Sequence, residues 1–167
     1  GNVSTSRSTT TGSVTGLTET NTTFTYSPSE WTNGNVTATV STTVSGYTLQ
    51  TRKDGTTWES KTSQTYTSNG TIYARLWDGT NYGGSLSGNV TNIDTVKPIV
   101  TGATATTNSI KITATDEASG IVGYAVTTSN TAPSASSFTS VTSTTSFSTT
   151  VSGKTQGTTY YVWVKDA

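Results

Sequence analysis

TIYARLW, residues 71–77, is the stretch from which the fold is read. Side chains on an extended chain alternate between two faces, so Ile72, Ala74 and Leu76 fall on one face and Tyr73, Arg75 and Trp77 on the other. That is the pattern of a half-buried strand. It is bounded by Asn69-Gly70 and Asp78-Gly79, dipeptides that readily take the positive φ values of tight hairpin turns. Asn33-Gly34 and Asp54-Gly55 punctuate the chain in the same way. Between these turns lie further strand candidates: TTFTYS (22–27), NVTATVS (35–41), YTLQTR (47–52), TTWES (56–60) and GSLSGNVTN (84–92). No eleven-residue window shows a 3.6-residue period. Short alternating segments joined by tight turns describe an antiparallel β-sandwich.

The pattern breaks at NIDTVKP (92–98) and starts again. The second set reads IVTGATA (99–105), SIKITATD (109–116), IVGYAVTT (121–128), FTSV (138–141), TSFSTTV (145–151) and TYYVWVKD (159–166). Pro98 fixes φ and cannot join a central ladder, so a boundary is expected near residue 95. An internal echo links the halves. Gly70-Thr71-Ile72-Tyr73 matches Gly157-Thr158-Thr159-Tyr160, and each strand runs on to a Trp and an Asp. Tyr73 and Tyr160 are both expected as tyrosine corners, rings at the sandwich edge with the hydroxyl bonded to nearby backbone.

Composition narrows the functional classes. Thr and Ser make up about two fifths of the 167 residues, and charged residues only 11%. β-branched Thr favours extended structure. With a hydrophobic fraction of 29%, the core must be thin and lean on the eight Tyr, four Trp and three Phe. Net charge is zero and there is no Lys/Arg run, so no nucleic-acid partner is expected. No stretch approaches the ~18 apolar residues of a membrane span, so no membrane insertion is expected. His and Cys are both absent, which removes Ser-His-Asp and Cys-His nucleophiles and the usual zinc ligand sets. The nine acids are scattered, with Glu30, Asp54 and Glu59 in turn-like contexts, unlike the facing carboxylate pair of a glycosidase. A non-enzymatic protein without a cofactor is expected. The lack of Cys and the Thr/Ser/Asn-rich character suit an exported protein. The lack of Met suggests a processed chain or a segment of something longer.

TYSPSEWTNGNVTATVSTT (25–43), GYTLQTRKDGTTWES (46–60) and GTIYARLWDGTNYGGSLSGNVTNIDTVKP (70–98) resemble the bacterial immunoglobulin-like repeats (Big-type) of large cell-surface proteins. ATDEASGIVGYAV (114–126) and TVSGKTQGTTYYVWVKDA (150–167) are similar to a fibronectin type III module, with Gln156 where that family most often has Pro. These resemblances imply an all-β chain of two tandem antiparallel β-sandwiches, immunoglobulin-like over 21–95 and fibronectin type III-like over 96–167. They imply arrays outside the cell, at a cell surface or on a phage particle, and no reaction. The second module is expected to lack its last strand within this chain. Joined tail to head, the text reads VWVKDA-GNVSTS, a turn into a final edge strand. Residues 1–20 are therefore expected to belong to a preceding or neighbouring repeat, with Gly1, Asn2, Val3, Val14 and Leu17 pairing against Tyr160, Val162 and Val164. The expected partners are copies of the chain or adjacent repeats of a longer one. Surface glycans or a host receptor would be reached through another domain.

Two other residue sets are candidate sites. Asp94, Asp116, Glu117 and Asp166 lie at the junction and at strand ends, where Ca²⁺ wants six to eight oxygen ligands; the alternative is that the Asp side chains stabilise turns by bonding backbone. Trp31, Tyr47, Trp58, Trp77 and Tyr82 form a possible aromatic binding face for glycan stacking, or else simply core and edge cover. The expected function is that of a non-enzymatic structural repeat of an extracellular stalk or filament, displaying an adhesive tip and linked head-to-tail through its N-terminal edge strand; a glycan- or receptor-binding module of a phage fibre or adhesin is the competing class.

Overall fold

Antiparallel ladders account for nearly all the regular structure of the computed structural model, which describes residues 13–167. The fold is an all-β sandwich in each of two units. The first unit takes the described residues up to Ser29 together with Asn35–Thr91; the second takes Glu30–Gly34 and Asn92–Ala167.

In the first unit, β1 (Thr22–Ser27), β2 (Val36–Thr42) and β4 (Ser63–Tyr66) form one sheet in the order β1-β2-β4. β3 (Thr48–Lys53), β5 (Gly70–Trp77) and β6 (Leu86–Val90) form the other, with β5 central. The alternation of TIYARLW holds: Ile72, Ala74 and Leu76 are fully buried, facing the core that Val36, Ala38, Val40 and Val90 complete. Burying each large aliphatic side chain contributes roughly 1.5–3 kcal/mol, which matters in a chain with so few of them.

Two expectations fail in this unit. TTWES (56–60) is not a strand; its one ladder-type pairing with β3 is an isolated bridge between Thr51 and Glu59. The sheet partner is instead SQTY, over 63–66. Its inward residue Gln64 is polar and so was invisible to an apolar/polar reading, but its amide donates to Thr51 Oγ1 (3.1 Å) and Glu59 Oε2 (2.9 Å). Buried and bonded, it costs little. Leu17, expected to fill a neighbour's groove, is 6% exposed in the first unit's own core, and its N–H donates to the Gly84 carbonyl at 3.2 Å. Val14 is half-buried beside Gly83. The described part of segment 1–20 therefore belongs to the first unit, because its one large aliphatic residue is needed there. Gly1, Asn2 and Val3 lie outside the described residues.

In the second unit, β7 (Ile99–Ala105), β8 (Ser109–Thr115) and β11 (Ser146–Ser152) are ordered β11-β8-β7. β9 (Ile121–Thr127), β10 (Thr139–Thr144) and β12 (Tyr161–Asp166) are ordered β10-β9-β12. Ile110, Ile112, Ala114, Ile121 and Phe147 make the core, and Tyr124 meets Phe147 across it with ring centroids 5.5 Å apart. The boundary expected near 95 falls at residue 92, and residues 30–34 join this unit through ladder-like bonds: Thr32 N–H to the Asn92 carbonyl (3.0 Å) and Asp94 N–H to the Thr32 carbonyl (2.8 Å).

The tyrosine-corner expectation holds at one position. The Tyr160 hydroxyl accepts the Thr155 N–H at 3.0 Å, which holds its phenol below the ordinary range. Tyr73 instead lies on the outward-facing side of β5 and bonds Asp54, which raises its phenol. The echo is shifted by one residue in face, and a one-residue shift puts a strand's side chains on the opposite side.

β6 needs a glycine at position 88. A Cβ there would lie 2.5 Å from the Tyr26 hydroxyl and 2.7 Å from the Phe24 ring. Gly88→Ala should cost about 1–3 kcal/mol through overpacking, read as a lower denaturant midpoint with an unchanged m-value.

Candidate functional site

Three places on the two units carry features beyond simple packing: the free side of β12 and an acidic end in the second unit, and an aromatic face in the first.

β12 pairs with β9 along its length, from Tyr161↔Thr127 to Asp166↔Ile121. Among the described residues no strand pairs with its other side. β5, the central strand of the corresponding sheet in the first unit, is flanked by β3 and by β6. The inward residues of β5 are sealed, while Val162 and Val164, which face the core with Tyr160, remain only partly buried. Across from them, Tyr124 and Val126 of β9 are partly buried too. The sequence expectation had Tyr160, Val162 and Val164 receiving an incoming strand; all three line this flank.

At the C-terminal end of β12, carboxylate oxygens of Asp94, Asp116 and Asp166 all lie within 4.8 Å of one another. These are three of the four residues proposed from sequence as calcium ligands. The fourth, Glu117, is exposed and outside the group. Hard oxygen donors of this kind suit Ca²⁺ or Mg²⁺ rather than zinc, but much of the bonding capacity is already used by the protein. Asp94 Oδ2 accepts the Ser119 hydroxyl (2.6 Å) and N–H (3.0 Å), and its Oδ1 accepts the Val96 N–H (2.9 Å). Asp116 Oδ1 accepts the N–H groups of Gly120 (2.8 Å) and Ala118 (3.2 Å). Asp116 thus closes its own turn, and Asp94 ties the segment before β7 to the β8–β9 turn.

The two ends of this cluster titrate in opposite directions. The Ser119 hydroxyl bond, joined by backbone donors, holds Asp94 below the usual carboxylate range. Burial, reinforced by the charges of Asp116 and Asp94, pushes Asp166 above it.

On the first unit, Arg52 of β3 and Tyr73 and Arg75 of β5 form an alternating row with Trp58 and Tyr82 from the segments that follow those strands. The Arg75 guanidinium lies 4.3 Å from the Trp58 ring centroid and 4.1 Å from that of Tyr82. Arg52 lies 5.1 Å from Trp58 and 4.8 Å from Tyr73. The order is Tyr82, Arg75, Trp58, Arg52, Tyr73. Trp77 sits beside it, bridged to Tyr82. Of the five aromatics grouped from sequence, Trp58, Trp77 and Tyr82 are brought together. Trp31 belongs to the other unit, and Tyr47 makes no ring contact in the row. The two arginines were missed. Their signal was present in the alternation, since Arg52 pairs with Tyr73 and Gln50 with Arg75 across the ladder.

No known protein family matches the chain, and no curated protein matches it.

The acidic end yields a prediction whose sign follows from linkage. A carboxyl held low in the folded state contributes stability above the unfolded pKa and loses it as pH falls through the folded value; that is Asp94. A carboxyl held high disfavours the folded state once pH rises through its raised value; that is Asp166. At pH 7, Asp94→Asn should therefore destabilise the second unit by roughly 2 kcal/mol, the scale for losing charge-assisted bonds in a buried site. Asp166→Asn should raise its melting temperature, with the gain shrinking toward pH 4. Thermal melts of both variants across that range check the opposite signs.

Proposed function

We propose that this chain is a non-enzymatic structural repeat of an extracellular stalk or filament, and that the unpaired side of β12 is where one repeat joins the next. The observation that carries the reading is the one-sided ladder of β12, set against the two-sided ladder of β5. Unpaired N–H and C=O groups on a sheet edge are a template for strand addition, and the half-buried valines beside them offer apolar area that an added strand would cover. The strand named is residues 1–12 of another copy, or the same segment in the following repeat of a longer chain. Its opening tripeptide Gly1-Asn2-Val3 recurs at 34–36 and 88–90, and the later copies lead into β2 and end β6. In this reading the two units are modules of the bacterial immunoglobulin-like and fibronectin type III-like kinds. A surface built from short ladders and bonded Thr and Ser side chains also suits a load-bearing spacer better than a reaction site.

Head-to-tail addition of this kind is heterologous and propagates. The 167-residue chain should therefore form concentration-dependent oligomers in sedimentation velocity. Removing residues 1–12 should leave a monomer, and adding a synthetic 1–12 peptide to that monomer should raise the melting temperature of the second unit. An equally stable monomer with and without the segment, indifferent to the peptide, would sink the proposal.

A further inference from the structure

We propose that the outer face of the β3-β5-β6 sheet binds an acidic glycan, with a sugar carboxylate or sulfate on the Arg75 guanidinium and the sugar ring against Tyr82. The inference is independent of strand addition at β12, because it concerns the other unit and a different surface.

The argument starts from how Arg75 is held. Two rings stack on it at 4.3 and 4.1 Å, and its Nε–H donates to Gln50 Oε1 at 2.9 Å. A guanidinium carries five N–H donors in a planar fork, and this arrangement uses one of them. Among the described residues the terminal nitrogens have no protein acceptor, and the one ion pair joins Lys61 to Glu59, the residue after Trp58, rather than to either arginine. Arg52, next in the row, likewise has no carboxylate within ion-pair distance among the described residues; its one bond to them is a long one to the Thr56 carbonyl at 3.5 Å, and its Nε is buried. Two stacked arginines without a direct ion-pair partner among the described residues therefore lie on one face, with Asp54 bonded to Tyr73 at the Arg52 end and no carboxylate in direct contact with Arg75.

Stacking explains the rings but not the unused donors. A fork that is fixed in plane, with its rotamer freedom already lost, is preorganised for a planar or tetrahedral oxyanion, which it meets with two parallel charge-assisted bonds. The neighbouring ring supplies the second element. Tyr82 is 63% exposed, and an exposed aromatic face beside a charged group fits the apolar C–H face of a sugar. An acidic peptide would use the charge and leave the ring unused. A nucleic acid would call for a longer basic footprint than two arginines.

The test uses the full chain and isothermal titration with an oligogalacturonate hexamer and a sulfated heparin-derived hexasaccharide, with a neutral cello-oligosaccharide and poly-glutamate as controls. Saturable binding to at least one acidic oligosaccharide is expected, weakening with added salt, and little to either control. Arg75→Lys keeps the charge but loses the fork, and should weaken binding about tenfold or more, the scale of one charge-assisted bond. Tyr82→Ala alters an exposed side chain, so it tests the ring without endangering the fold, and should weaken binding severalfold while leaving the melting temperature nearly unchanged. No saturable binding to either acidic glycan at millimolar concentration would overturn the proposal. So would equal binding of poly-glutamate, or affinity unaffected by both substitutions.

Discussion

Strand register is the constraint on which the rest of this molecule depends. With 29% hydrophobic residues and no cysteine, neither a deep core nor a disulfide is there to tolerate a misplaced strand. The few aliphatics are therefore concentrated at inward positions, and a slip of one residue would turn Ile72, Ala74 and Leu76 to solvent and Tyr73, Arg75 and Trp77 inward. The turn at Asp78-Gly79, where Gly79 takes φ +104°, and the glycine at 88 set that register locally. Gly88 allows Phe24 and Tyr26 to cross β6, so aromatic bulk from one sheet fills space that aliphatic side chains of the other do not.

The same constraint bears on β12, one of the two edge strands of its three-stranded sheet. A sandwich with a thin core needs every inward residue sealed, and β5 achieves this because a strand lies on each side of it. β12 has one neighbour among the described residues, and its core-facing Val162 and Val164 are only partly buried, as are Tyr124 and Val126 beside them on β9. The strand is otherwise well formed: its ladder with β9 is continuous except for one shift near Asp166, and Trp163 donates its indole N–H to Thr127 Oγ1 at 2.9 Å.

Most of the fold was legible because alternation and turn dipeptides are local signals. Five of the six candidate strands of the second half coincide with their elements to within two residues at each end, and FTSV (138–141) stops three residues short of the end of β10. What was not legible involved polar residues doing apolar work. β4 was hidden because Gln64 faces inward, and its burial is made tolerable by Thr51 and Glu59, which come from other parts of the chain. Leu17 was assigned to a neighbour because nothing in its surroundings, Ser13 to Thr20, looks like a strand; its burial depends on the Gly83-Gly84 backbone some seventy residues away. Of the acidic set, Asp94, Asp116 and Asp166 come together because strand ends and turns converge at one end of a sandwich. Glu117 does not, because the residue after Asp116 points outward from the turn that Asp116 closes.

The acidic cluster and the arginine row show why proximity of like charges is not enough to define a site. Asp94 and Asp116 spend their carboxylate oxygens on five donors from the protein itself, so their position is explained by the turns they hold. Arg75 is also held firmly, but by stacking and by one bond at Nε, and neither uses the terminal nitrogens of the fork. In the first case the structure consumes the chemistry of the group. In the second it fixes the group in place and leaves the chemistry facing outward, and that difference, rather than the count of charges, directs attention to the β3-β5-β6 face.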